Sequence, residues 1–182
     1  EDIDATPTGY LTTVLDNQGN QTATLVASGS NRKYVTIDEI PINLQHAFVA
    51  IEDERFYDHN GIDLQGILRA GLKGVASGFH FSEGASTITQ QLLKNTVFTQ
   101  WTSEQSMADK FERKFQEQYL ALQLEKVVDK DWILENYLNA INLGQNTLGV
   151  GVASERYFGK DVSELTLSEC AVLAAITQSP RY

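Results

Sequence analysis

One cysteine, three histidines and fourteen basic residues in a chain of 182 exclude several kinds of protein. Cys170 has no partner for an internal disulfide, and in the run from Cys170 to Ile176 it reads as a buried small hydrophobe. His46, His59 and His80 stand at no recognised ligand spacing from it, so a structural zinc site has no support. The basic residues are outnumbered by twenty-four acidic ones, giving a net charge of −10. That balance argues against nucleic acid as a partner and against general attraction to anionic lipid. Any anionic ligand must be gripped locally. No stretch approaches the roughly 18 apolar residues of a membrane span, and no signal peptide, internal repeat or low-complexity tract is visible. The chain begins at Glu1 and stops at Tyr182 just after an apolar run, so both ends read as cut.

A hydrophobic content of 42% is enough for one sizeable core and predicts one domain. Residues 1 to 34 differ from the rest. Tyr10 to Leu15 and Thr22 to Val26 are β-prone runs on either side of Asp16, Asn17, Gln18 and Gly19, which predicts a β-hairpin in a junction segment. From Thr36 onward helix signals dominate, including a capping box at Thr166 and Glu169. The expected fold is therefore mainly α with a small N-terminal β-hairpin, residues 35 to 182 forming the principal domain. Gly71 to Phe81 mixes apolar side chains with three glycines and reads as mobile and sticky rather than as a stable helix.

Three helical segments carry chemistry. Leu44, Ala47, Phe48 and Ile51 form the stripe of an amphipathic helix with Pro41 in its first turn. Glu52, Asp53 and Glu54 then fall at its negative C-terminal end, against a local rule. Rules of that kind tend to be broken at functional sites, and Glu52 suits a carboxylate that must take up a proton. In the second segment, Gly84 to Asn95, a small-residue turn leads through Ser86 as N-cap into a helix whose Gln90, Gln91 and Lys94 make a plausible grip on a sugar phosphate. The third, Phe111 to Glu125, has an apolar stripe of Phe111, Phe115 and Leu122, and on another face Arg113 and Lys114 one turn before Glu117. Taken singly, each segment is also readable as an ordinary surface helix.

Together the segments resemble the peptidoglycan glycosyltransferase domain, glycosyltransferase family 51, of class A penicillin-binding proteins and monofunctional transglycosylases. The pattern EDxxFxxHxG is met by Glu52, Asp53, Phe56, His59 and Gly61, and GxSTxTQQxxKN from Gly84 to Asn95. RKxxE is met by Arg113, Lys114 and Glu117, and KxxILExYLNxxxxG from Lys130 to Gly144. Ala85 stands where many relatives have a second glycine, and the usual asparagine after Arg69 and Ala70 is missing.

The resemblance implies a lysozyme-like helical arrangement and polymerisation of lipid II into glycan strands. Glu52 would deprotonate the acceptor 4-hydroxyl, which attacks the donor anomeric carbon with inversion and expels polyprenyl diphosphate. Lys94, Arg113 and Lys114, with Ser86, Gln90 and Gln91, would hold the diphosphate. Glu117 is the second catalytic residue, helping to hold the donor or a cation, while Asp53, Phe56 and His59 shape the acceptor side. No cofactor is required and no metal-ligand set is assigned, although a divalent cation such as magnesium is compatible with the diphosphate. The implied setting is the extracytoplasmic face of the bacterial cell membrane, with an anchor before Glu1 and room for a transpeptidase domain beyond Tyr182. The lone SxxK match at Ser30 to Lys33 lacks its companion elements and is discounted. The alternatives are a lysozyme-like glycan hydrolase, which needs no diphosphate grip, and a non-catalytic glycan-binding domain, which has no need of Glu52 or Lys94.

Overall fold

The computed structural model describes residues 4–10, 12–25, 32–76, 86–98 and 106–178. Strands β1 (Thr12–Leu15) and β2 (Gln21–Leu25) pair antiparallel, with Thr12 opposite Leu25 and Val14 opposite Ala23. Asp16 closes the turn between them by accepting from the N–H groups of Gln18 (2.8 Å) and Asn20 (2.9 Å). Among the described residues seven α-helices follow: α1 (Ile42–Glu52), α2 (Leu64–Ala76), α3 (Ile88–Thr96), α4 (Met107–Leu124), α5 (Lys130–Ala140), α6 (Val150–Phe158) and α7 (Leu167–Ile176). The fold is mainly α with an N-terminal hairpin, as the sequence predicts, and is consistent with a lysozyme-like helical domain.

α1 packs along α7, and α3 packs against both α4 and α5. Leu44 and Phe48 from α1, Leu92 and Leu93 from α3, Leu134 and Leu138 from α5 and Leu173 from α7 are fully buried in one core. Each such side chain contributes about 1.5–3 kcal/mol. At its centre the Phe48 and Tyr137 rings meet edge to face at 6.2 Å. The capping box predicted for α7 is present: Thr166 and Glu169 bond reciprocally, and Lys160 adds an ion pair to Glu169 at 2.7 Å. Cys170 is buried, as expected.

The turn from Asp53 to Gly61 is fixed from beneath. Phe56 is fully buried, with the Lys130 ammonium 4.4 Å from its ring centroid. Gly61 has φ +89°, and a Cβ there would stand 2.6 Å from the Ala121 carbonyl oxygen. Only glycine lets the turn lie this close to α4.

Two expectations are corrected. α2 continues through Ala76, so residues 71–76 are helical, and 77–81 lie outside the described residues. Each glycine costs about 1 kcal/mol relative to alanine, which the good helix formers around Gly71 and Gly74 offset. The apolar stripe of α4 does not face the core: Phe111 is 59% exposed, Phe115 70% and Leu122 38%. The inward face carries Glu117, Ala121 and Leu124 instead. A charged group wins the interior there because its partners are on the same helix.

Candidate active site

A cleft of about 510 Å³ opens where the end of α1, the inner face of α2, the start of α3 and the residue just beyond α7 converge. Glu52 is the last residue of α1 and is half-buried on the cleft wall. The Gln91 side-chain amide donates to its Oε2 at 2.9 Å and the Gln178 amide to its Oε1 at 3.2 Å. Helix geometry thus points the carboxylate into the cleft, and amides from two other elements hold its rotamer.

Asp53 turns the other way, into the protein. Its carboxylate accepts from His59 Nε2 at 2.9 Å and from the Ile88 N–H at 2.9 Å, at the first residue of α3. His59 Nδ1 accepts in turn from the Gly61 N–H at 3.2 Å, so Nε2 carries the proton. With Phe56 buried beside them, these groups tie α1 to α3. Of this set only Asp53 lines the cleft.

At the start of α3 the N-cap is Thr87, one residue later than predicted: the Gln90 N–H donates to Thr87 Oγ1 at 3.2 Å. Ser86 is freed for the cleft, and its Oγ accepts from Lys114 Nζ at 2.7 Å. Gln90 and Gln91 do not share a face. Gln90 is buried, and its amide donates to the Gly61 carbonyl at 3.3 Å, whereas Gln91 faces Glu52. Lys94 lines the cleft one turn further along α3, and burial pulls its pKa down while Glu117 and Glu52 work against that.

Glu117 is fully buried on α4, with Arg113 Nη1 on one carboxylate oxygen and Lys114 Nζ on the other at 2.8 Å. It is the counter-ion of a cationic cluster that includes Lys94. A resident divalent cation does not fit there, because both oxygens are occupied and three cations surround them. Among the described residues no cluster of three or more His, Cys, Asp and Glu could hold a metal ion.

On the opposite wall Arg69 of α2 pairs with Glu54 at 2.7 Å, and Arg55 bridges Glu54 (2.9 Å) to Asp63. Gln178 and this network were not singled out in the sequence. No local pattern marks Gln178, which reaches Glu52 across 126 residues only when α7 packs on α1.

A mainly helical domain with a carboxylate, a lysine and a lysine-bound serine lining one cleft defines a class: an enzyme with an acid–base group beside a place for an anionic part of its substrate. The profile of the transglycosylase family matches residues 18–182. The chain is 49% identical over 168 residues to penicillin-binding protein 1A of Clostridium perfringens strain 13, which covers 91% of this chain and 24% of that protein. It is 40% identical over 182 residues to penicillin-binding protein 1A of Clostridium tetani, covering 98% and 22%. With penicillin-binding protein 1A of Escherichia coli K12 it shares 47% over 146 residues, covering 80% and 16%. The chain belongs to the transglycosylase family, the peptidoglycan glycosyltransferase domains. It spans less than a quarter of the length of these relatives.

Proposed function

We propose that this domain polymerises lipid II into glycan strands. The reading rests on one observation above all: Glu52 and Lys94 line one cleft, and the Arg113–Lys114–Glu117 cluster reaches the cleft-lining Ser86 through Lys114. Glu52 takes the proton of the acceptor 4-hydroxyl as that oxygen attacks the donor anomeric carbon. The bond to the leaving diphosphate breaks on the opposite face, so the configuration inverts. Charge developing on polyprenyl diphosphate is the main electrostatic problem, and Lys94, Arg113 and Lys114 answer it, with Ser86 oriented by Lys114. Glu117 holds Arg113 and Lys114 together through its two carboxylate oxygens.

A glycan hydrolase would leave the cationic cluster without a task. The setting we infer is the extracytoplasmic face of a bacterial membrane, with a transpeptidase domain elsewhere in the whole protein. Among the described residues no helix is long and apolar enough to cross a membrane.

Glycan product analysis with purified lipid II tests the reading. Glu52→Gln keeps the shape but cannot accept the proton, and general-base catalysis is worth roughly 10²- to 10⁴-fold. Turnover should fall by at least that lower figure with the melting temperature unchanged. Retention of more than about a tenth of wild-type turnover removes Glu52 as the base.

A further inference from the structure

We infer that Gln178 is a positioning residue for Glu52, forming with Gln91 a two-amide clamp on the carboxylate that sets its rotamer and its readiness to accept a proton. Each oxygen of Glu52 receives one carboxamide N–H, from Gln91 at 2.9 Å and from Gln178 at 3.2 Å. The two donors come from different elements, α3 and the segment just after α7, so the carboxylate cannot rotate without losing one of them.

The Gln91 amide is itself oriented. Its Oε1 faces the Tyr137 hydroxyl at 3.5 Å, and burial pushes that phenol well above its usual range, so the hydroxyl stays protonated and acts as the donor. This fixes which end of Gln91 is the amide oxygen and turns its NH₂ toward Glu52. Gln178 has no such support among the described residues and is exposed, so it is the adjustable half of the clamp. A donor on a carboxylate favours its charged form over its protonated one. An incoming acceptor hydroxyl must share or displace one of the two donors, and the longer, more exposed bond from Gln178 yields first.

The inference rests on the reading of Glu52 as the base, and its test separates the two. In the 182-residue chain the Glu52 side-chain carboxyl is followed by ¹³C NMR as a function of pH, its signal identified by its loss in Glu52→Gln. Gln178→Ala removes the donor and should raise the midpoint by about half to one pH unit, a threefold to tenfold change in proton affinity. Gln178→Glu adds a like charge and should raise it further, whereas Gln178→Lys keeps a donor and should leave it at or below the wild-type value. The acid limb of kcat for lipid II polymerisation should move in the same order, with KM within about twofold of wild type. A role confined to packing would change the melting temperature and leave this order absent. Midpoints that stay within about 0.2 unit of wild type in all three variants overturn the clamp. So does a rise in KM at constant kcat, which would make Gln178 a substrate contact only. Midpoints that follow the order in a wild-type protein making no glycan from lipid II sink the base reading and leave the clamp standing.

Discussion

Glu52 and Glu117 are both acids of the predicted site, yet the fold gives them opposite surroundings. Glu52 lines the cleft and accepts from two neutral amides, while Glu117 is fully buried and salt-bridged on both oxygens. Removing one charge of a buried cluster leaves the others uncompensated, at a cost of about 3–5 kcal/mol. Glu117→Gln should therefore lower the melting temperature by several degrees and reduce activity, in contrast to the silent effect of Glu52→Gln on stability. Differential scanning calorimetry of the two variants side by side checks the contrast, and equal melting temperatures would remove the counter-ion role. Burial disfavours the charged form of Lys94, so an anionic ligand should gain from pairing with it. Lys94→Ala should weaken a diphosphate-bearing or phosphoglycolipid ligand at least tenfold while leaving a neutral glycan fragment within about twofold, as read by isothermal titration calorimetry. Equal losses for both ligands would sink the assignment to the leaving group.

Among elements, α7 matters to the site because it packs on α1 and is followed two residues beyond its end by Gln178. Its start is held by the capping box and by Lys160 on Glu169, and that ammonium, with the Thr166 N–H and hydroxyl, lowers the Glu169 pKa from 4.5 to about 2. A carboxyl whose folded value lies below its unfolded one contributes stability that is complete above the unfolded pKa and lost as pH falls toward the folded one. The window here runs from about 4.5 down to about 2. Thermal unfolding should show stability declining across that window, with a shallower decline in Glu169→Gln. Parallel pH profiles for the two proteins would remove Glu169 as a contributor. α3 shows a different economy. Thr87 takes over the cap that Ser86 was expected to provide, and so releases Ser86 to Lys114.

Across the molecule, acid-rich and cation-rich walls face one cleft while apolar groups collect on the outside of α2. Leu64 (73% exposed), Leu68 (65%) and Leu72 (65%) form an i, i+4, i+8 row there, while Gly66, Arg69 and Ala70 line the cleft. A row of that kind, beside the site proposed here for a lipid-linked substrate, suits contact with a bilayer surface. Replacing the three leucines by Ser should reduce liposome co-sedimentation and turnover of full-length lipid II by severalfold, with the melting temperature within about 2 °C because none belongs to the core. A large drop in melting temperature would place these side chains in a packed interface and refute the membrane role.

The sequence by itself determined what depends on neighbours along the chain. The hairpin around Asp16, the end of α1 at Glu52, the box at Thr166 and Glu169 and the burial of Cys170 all follow from spacing, turn chemistry and hydropathy within a few residues. The motif residues were assembled as a set only through their resemblance to a family pattern, since each segment alone is also readable as an ordinary surface helix. Only the tertiary structure decided which way each of them points. Periodicity reports that a helix has faces and cannot say which neighbour covers them, so the apolar side of α4 could be taken for its inner one until Glu117 proved to be buried there. Gln90 and Gln91 looked alike in sequence and were separated by the Gly61 carbonyl on one side and Glu52 on the other. Gln178 shows the limit most plainly, because its partner lies 126 residues away and only the packing of α7 on α1 brings the amide within reach.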